Sequence, residues 1–238
     1  MNIILFESDE IERPLPMDDE RARHLLEVLG RKVGDSFDAG IVNGPKGKGT
    51  LKSIENDKLT LEFEWLGEEP SLFPIDLIVG LSRPQTNRKI LQEATSLGVR
   101  SIHFITTDRG EPSYATSRLW TTGEWRRHLV AGTAQAFTTR IPDISFGKSL
   151  FETVEKLDTN SARIALDNYE ATGPLVDKLG DNNSFTICVG SERGWTGDER
   201  DMLLQNGFRL AHLGERPLRT ETAVVAAVSI VLSQQSWK

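Results

Sequence analysis

Five side chains able to move a proton, hold an anion or stabilise a developing charge stand within seven residues near the C-terminus: Glu215, Arg216, Arg219, Thr220 and Glu221. They belong to LGERPLRTETAVVAAVSIVL, Leu213 to Leu232, whose apolar half from Ala223 reads as a buried helix. A helix start needs a cap, and Thr220 alone can supply one. The remaining charges call for chemistry. An arginine there can stabilise an anion, and a carboxylate can accept a proton from a substrate. The other reading is an ion pair between Arg219 and Glu221 that only positions the loop, since structural ion pairs also occupy clefts.

Two further segments share this character. RIALD runs into NYEATG, SFTICVG into SERGWTGDE, and FRLAHLG into ERPLRTETA, so three apolar runs end in glycine mixed with charge. Ligands of open α/β sheets collect at the carboxyl ends of strands, and these three ends together define the expected site. VGSERGW leads into a helix opened by Thr196 and Glu199 in capping-box spacing, which suits close backbone approach by a ligand. Other motifs fail as sites. GPKGKGT at 44–50 lacks the Lys-Ser/Thr pair and the following helix of a phosphate loop, and reads as a flexible loop between strands. No G-x-G-x-x-G follows Leu77 to Leu81. His24, His103, His128 and His212 are scattered without metal-ligand spacing, so no metal is expected. Cys188 and His103 sit in apolar strands and read as structural.

Strand ends can converge only if the elements behind them form one sheet. Residues 1–70 hold short apolar runs, Ile3 to Phe6, Phe37 to Val42 and Leu59 to Trp65, parted by turns such as NGPKGKG. Their helix signal is DDERARHLLEVLG, at 18–30, closed by glycine. This predicts a small β-rich domain with one helix, and Pro70 and Pro74 bracket a link to the next. Residues 71–238 alternate instead. PIDLIVGL is a strand. TNRKILQEATSLG is a helix with Ile90, Leu91, Ala94 and Leu97 on one face, and SIHFITT is the next strand. TTGEWRRHLVAGTAQAF opens on a second capping-box spacing, Thr121 to Glu124. RIALD, SFTICVG and FRLAHLG follow, separated by GPLVDKLG and TGDERDMLLQNG. The prediction is an α/β domain with a mostly parallel sheet flanked by helices.

Composition bounds the function. With 38% hydrophobic and 26% charged residues and no low-complexity tract, the chain has the make-up of a soluble globular protein. No apolar run reaches the roughly 18 to 20 residues of a membrane span, so no membrane partner is expected. MNIILFESDE has no basic segment ahead of its apolar residues and does not read as a secretory signal. A single cysteine, Cys188, excludes an internal disulfide framework and suits a reducing compartment, so a cytoplasmic protein is expected. A net charge of −7 argues against a surface coated in phosphate-binding groups, although local patches matter more than sums. Arg83, Arg88 and Lys89 form one such patch, Arg126 and Arg127 another, Arg216 and Arg219 a third; each by itself reads as a solvated face.

At this point the motifs carry a resemblance. LGERPLRTETA, VGSERGWTGDE and ALDNYEATG resemble the cofactor-binding motifs of the SPOUT superfamily of knotted methyltransferases. They are most similar to the family that methylates N3 of a uridine in 16S ribosomal RNA. KILQEATSLGV, AQAFTTRIP and HLLEVLGRKVGD fall in the right order, so the resemblance spans nearly the whole chain. It implies an N-terminal PUA-like β-barrel for RNA, at 1–70, and a C-terminal α/β domain threaded into a trefoil knot, at 71–238. It also implies a homodimer, S-adenosylmethionine as cofactor, and 16S ribosomal RNA or the small ribosomal subunit as partner. A related enzyme with another RNA target, or a non-catalytic RNA-binding or ribosome-assembly protein, are the alternatives.

The resemblance further implies roles for residues. Leu213, Gly214 and Leu218 would cradle the adenosine with Gly190 and its neighbours Val189, Ser191, Glu192 and Gly194; Leu166, Thr220 and Thr222 complete the cofactor set. Arg219 and Glu221 would face the target base as catalytic residues, and which of the two serves as base stays open. Arg83, Arg88, Lys89, Arg109 and Arg140 would contact RNA. The chain departs from the family pattern at Ser96, Ser191 and Arg193, at Gly30 before Arg31, and in TDRGEPSY, so target choice is expected to reside in Arg83 to Lys89, Arg109 to Tyr114 and the barrel.

Overall fold

Eleven strands and seven helices form among residues 3–67, 69–157 and 160–234, which the computed structural model describes. They divide into one unit of Met1–Ser71 with Thr133–Ile141, and a second of Leu72–Gly132 with Pro142–Lys238. Thr133–Ile141, which the sequence pattern had placed with the α/β part, joins the first unit through the turn at residues 42–45. The Asn43 amide donates to the Thr139 carbonyl at 2.8 Å, the Thr139 hydroxyl to the Gly44 carbonyl at 2.6 Å, and the Ile141 amide to Asn43 Oδ1 at 3.0 Å.

In the first unit, β1 (Ile4–Phe6), β2 (Leu15–Pro16), β3 (Ser36–Ile41), β4 (Lys46–Glu55) and β5 (Lys58–Gly67) form a sheet of order β1-β3-β4-β5-β2. Only β1 and β3 pair in parallel. Phe6, Phe37, Ala39, Leu51 and Leu59 project from it into a core completed by Ala22 and Leu25. The sheet has two open edges, β1 and β2, among the described residues. The expected flexible loop at 44–50 is instead the start of β4. Its glycines are there for space: a Cβ on Gly47 would fall 2.0 Å from the Glu64 carbonyl oxygen, and one on Gly49 would enter the Phe37 ring. The predicted helix at 18–30 is α1 (Glu20–Arg23), capped by the Asp19 carboxylate and widening into a π-helical turn, His24–Val28.

Arg21 on α1 donates to Glu10 at 2.6 Å and to Asp19 at 2.8 Å, and its guanidinium stands 4.9 Å from the centroid of the Phe6 ring. The Arg21 hydrogen bonds hold both carboxyls below their ordinary values of 4.5 and 3.8, against the opposing effect of burial. Carboxyls held low in the folded state bind fewer protons than the unfolded chain does. Their stabilisation is therefore complete above about pH 5 and is lost as the pH falls through the lowered folded values. An Arg21→Met variant is expected to lose stability at neutral pH and to show a shallower decline from pH ~5 to ~3. Urea midpoints measured across that range for both proteins check this, and parallel curves would assign the acid sensitivity elsewhere.

The second unit carries β6 (Phe73–Gly80), α2 (Pro84–Ser96), β7 (Val99–Thr106), α3 (Arg118–Thr121), α4 (Glu124–Gln135) as far as Gly132, β8 (Asp143–Ser149) and α5 (Leu150–Val154). It continues with β9 (Ala162–Leu166), β10 (Phe185–Val189), α6 (Gly197–Gln205), β11 (Arg209–Ala211) and α7 (Thr220–Gln234). The sheet order is β11-β9-β10-β6-β7-β8, and every pairing is parallel, as the alternation predicted. All of β10 is buried, the pattern of a strand covered on both faces. Ile78, Ile105, Ala165 and Cys188 pack on Leu150, Val154, Leu203 and Phe208, each large aliphatic contributing about 1.5–3 kcal/mol. Cys188 is the core residue expected, and burial pushes its thiol well up. His103 is also structural, hydrogen-bonded to Ser101 at 3.0 Å and Ser145 at 2.7 Å, with burial lowering its pKa.

Four local expectations are corrected. Pro74 does not lie in a link but inside β6, where the register shifts between Phe73 and Asp76. Thr121 forms no capping box with Glu124; its hydroxyl donates to the Ser117 carbonyl at the start of α3, and Gly123, at φ 75°, turns the chain into α4. GPLVDKLG makes a single 3₁₀ turn, Leu175–Lys178. The helix expected to be buried throughout from Ala223 begins at Thr220 and buries one stripe, Val224, Ala227, Val228 and Val231, leaving Val225, Ala226 and Ile230 half-exposed. β8 and α5 had no counterpart in the sequence reading; β8 is too exposed to show alternation, although Ser149 and Glu152 do form a capping box opening α5.

Candidate functional site

Because β11, β9 and β10 are neighbours, the three glycine-and-charge segments that follow them meet at one end of the sheet. They enclose a cleft of about 740 Å³. Leu166 to Tyr169 form one wall, Val189 to Trp195 the floor, and Leu213 with Pro217 to Glu221 the opposite wall. Helix α2 closes the remaining side with Gln85, Thr86 and Lys89, and Arg83 stands just ahead of it. Of the residues predicted to hold a cofactor, Leu166, Val189, Gly190, Ser191, Glu192, Gly194, Leu213, Leu218 and Thr220 line this cleft. Gly214 and Thr222 do not. Gly214, at φ 116°, turns the chain beside His212, to which its amide donates at 3.1 Å, and Thr222 is exposed on α7.

The floor is held by packing the chain could not achieve with other residues. A Cβ on Gly80, at the end of β6, would lie 2.4 Å from the Ser191 amide nitrogen, so the strand end supports the floor loop by direct backbone contact. Gly190 is tight but less so, with Gly194 and the Trp195 ring 3.2–3.3 Å from where its Cβ would be. Trp195 is fully buried, and its indole N–H donates to the Leu166 carbonyl at 3.0 Å, tying the floor to the first wall.

Side chains fix the surrounding loops. Glu199 completes the capping box with Thr196 and also accepts from the Asp108 amide at 3.0 Å, joining the loop after β7 to α6. Glu192 accepts from the Arg83 amide at 3.1 Å, and the Thr107 hydroxyl donates to Ser191 at 3.2 Å. Asn87, buried on α2, accepts from the Ser82 amide and donates to its carbonyl. The first wall depends on Asp167. One carboxylate oxygen accepts from the amides of Tyr169 and Glu170 at 2.7 and 2.6 Å, and the other accepts from Arg200 Nε at 2.7 Å. Asp167 and Arg200 side chains are 2% and 8% exposed, a buried ion pair. None of Gly80, Asn87, Asp167, Trp195, Glu199 or Arg200 was assigned a site role from sequence. Signals existed for two of them: Glu199 by its capping-box spacing from Thr196, and Asp167 as an acid directly after a buried strand, followed by turn chemistry.

The charged residues do not pair as the structural reading had it. Glu221 accepts from Lys89 Nζ at 3.3 Å, whereas Arg219 has no ion-pair partner among the described residues and extends along an exposed rim. Of the five residues predicted to contact RNA, Arg83 and Lys89 reach the cleft. Arg109 lies beside it, donating to the Arg193 carbonyl at 3.3 Å. Arg88 points elsewhere and binds Glu124 through two hydrogen bonds of 2.8 and 3.3 Å. Arg140 lies away from the cleft lining and donates to the carbonyls of Asn43 and Glu69 in the first unit, fastening Thr133–Ile141 there. Among the described residues no group of acidic, histidine and cysteine side chains could hold a metal, and no helix is long and apolar enough to cross a membrane.

Comparison with known proteins gives concordant matches. Residues 68–232 match the model of the RNA methyltransferase domain family. Over 248 aligned residues the chain is 36% identical to the ribosomal RNA small subunit methyltransferase E of Treponema pallidum, covering 100% of this chain and 93% of that one. It is 29% identical to ribosomal RNA small subunit methyltransferase E 1 of Borreliella burgdorferi, over 98% of each. The fold is similar to that of the ribosomal RNA small subunit methyltransferase E of Neisseria gonorrhoeae in its S-adenosyl methionine complex, with a TM-score of 0.81, 22% identity and 98% coverage of both chains.

Proposed function

The chain belongs to the RNA methyltransferase domain family, and on that premise we propose that it transfers a methyl group from S-adenosylmethionine to N3 of a uridine in 16S ribosomal RNA. The observation carrying this reading is the convergence of three strand-end loops into one cleft whose wall bears Arg219 and Glu221. The cleft suits a nucleoside cofactor. Leu166, Val189, Leu213 and Leu218 offer apolar surface to a planar base, and the glycines at 190 and 194, the latter at φ 65°, let backbone approach the ligand closely.

S-adenosylmethionine, when bound, supplies an electrophilic methyl group. The protein must then make uracil N3 nucleophilic, and N3 carries a proton at neutral pH. Arg219 remains protonated and cannot serve as the base. Its free guanidinium is the group to stabilise the uracil anion at O2 or O4. Glu221 is the proton acceptor, held in the cleft by its contact with Lys89. Pairing in a duplex hides N3, so the target base must be unpaired or flipped out. Arg83, Lys89 and Arg109 surround the entry and are the contacts we assign to RNA there.

The finer architecture follows the same reading. After β11, at one edge of the sheet, the chain crosses the ends of β9 and β10 and enters α7, which packs on α2; this path supports the trefoil knot. The five-stranded sheet of the first unit supports a PUA-like RNA-binding domain. The half-exposed apolar residues of α7, Val225, Ala226 and Ile230, supply a surface for a homodimer.

The test is labelled methyl transfer from S-adenosylmethionine to small ribosomal subunits lacking the uridine-N3 mark, with nucleoside analysis of the product. N3-methyluridine at one position is expected. Transfer to another atom would overturn the assignment of Glu221, and absence of transfer despite cofactor binding would overturn the RNA target.

A further inference from the structure

Arg88 is turned away from the cleft into a second concavity of about 430 Å³, lined by Arg88, Arg118, Thr122, Glu124 and Arg127. Three guanidiniums share this notch with one carboxylate, a formal charge of +2 in a chain whose total is −7. Glu124 gathers the cluster: it accepts from Arg88 at 2.8 Å, approaches Arg127 at 3.7 Å and contacts His128 at 3.4 Å. Arg118 is exposed and has no ion-pair partner among the described residues. Glu124 offsets one of the three like charges, and the +2 that remains around one hollow is an arrangement that a further anion completes. Arg88 and Lys89 are consecutive on α2, one lining the notch and the other the cleft, so one helix presents both concavities.

Resting on the methyltransferase reading, we propose that the notch of Arg88, Arg118 and Arg127 binds a backbone phosphate of the RNA whose base enters the cleft. The guanidiniums of Arg118 and Arg127 present forked donors that match phosphate oxygens, while Arg88 is held beside them by Glu124. Arg88 and His128 keep the Glu124 carboxyl down at about 2, so it stays ionised and holds the cluster across the working pH range. A phosphate contact fixes the register of the strand and carries no sequence information. The notch therefore positions RNA for a site whose base recognition lies in the cleft.

The experiment measures KM for small ribosomal subunits, kcat, and the salt dependence of KM, with the full chain at saturating S-adenosylmethionine. Replacing both Arg118 and Arg127 by alanine is expected to raise KM roughly ten-fold or more at ~0.1 M salt. The slope of log KM against log salt should flatten by about 0.7–0.9 for each guanidinium that no longer meets a phosphate. kcat and the cofactor Kd should stay within two-fold. Lysine at both positions keeps the charge and should retain most of the slope. Arg209→Ala, an exposed arginine on the edge strand β11, controls for net charge and should change neither. An unchanged KM and slope in the double alanine variant overturns the proposal, as does an equal effect from Arg209→Ala. Absence of transfer by the unaltered chain would instead overturn the methyltransferase reading, and the notch assignment with it.

Discussion

Replacing Arg219 by alanine is expected to lower kcat for methyl transfer by roughly 10²–10³-fold, with cofactor affinity within a few-fold and folding unaffected. The size follows from what the guanidinium does. In the reaction proposed above, removal of the N3 proton leaves a uracil anion, and a cation already placed at the rim of the cleft stabilises charge as it develops. The specificity of the loss follows from what the guanidinium does not do. Arg219 has no ion-pair partner among the described residues, so its removal strands no charge. The competing account, in which it pairs with Glu221 to hold the loop, requires the variant to unfold earlier or bind cofactor poorly. Glu221→Gln gives the companion measurement. It keeps size and hydrogen-bonding capacity and removes the proton acceptor, so a comparable loss in kcat, relieved as pH rises, separates base from stabiliser. Single-turnover rates on subunits and calorimetric cofactor titrations of both variants decide between the accounts.

Asp167→Ala is expected to cost the most in stability, about 3–5 kcal/mol, because Arg200 is left buried without its carboxylate. Glu170 also reaches Arg200, at 3.3 Å, but is half-exposed and compensates little. For a chain of this size that corresponds to a fall of roughly 6–20 °C in Tm. Cofactor affinity should fall as well, since the same carboxylate holds the amides of Tyr169 and Glu170 and thereby shapes one wall of the cleft. Removing both partners separates the two effects. Asp167→Leu with Arg200→Met buries no charge and should recover much of the Tm, yet it cannot restore the turn, so the weakened cofactor affinity should persist. A single variant losing under ~1 kcal/mol would show that the pair is not what fastens the wall.

The residues themselves show why some of this was legible beforehand. The parallel alternation of the second unit, the capping box of Thr196 and Glu199, and the three strand ends rich in glycine and charge are written in residues a few positions apart. The same local logic failed where packing outranked it. Thr121 and Glu124 have capping-box spacing, but Ser117 and Arg88 are better partners for them. GKG at 47–49 has loop composition, yet close approach of Glu64 and Phe37 makes glycine the residue that fits a strand there.

The sequence by itself determined which segments form the strands and the glycine-and-charge loops that end them: hydrophobic periodicity and turn residues act over a few neighbours, and so do the motifs built on them. Only the tertiary structure decided what those segments face. Lys89 meets Glu221 across 132 positions, Asp167 meets Arg200 across 33, and Gly80 supports Ser191 from the other half of the domain. Such partners are chosen by strand order and helix packing, and no residue's local pattern records which distant backbone will come to rest against it.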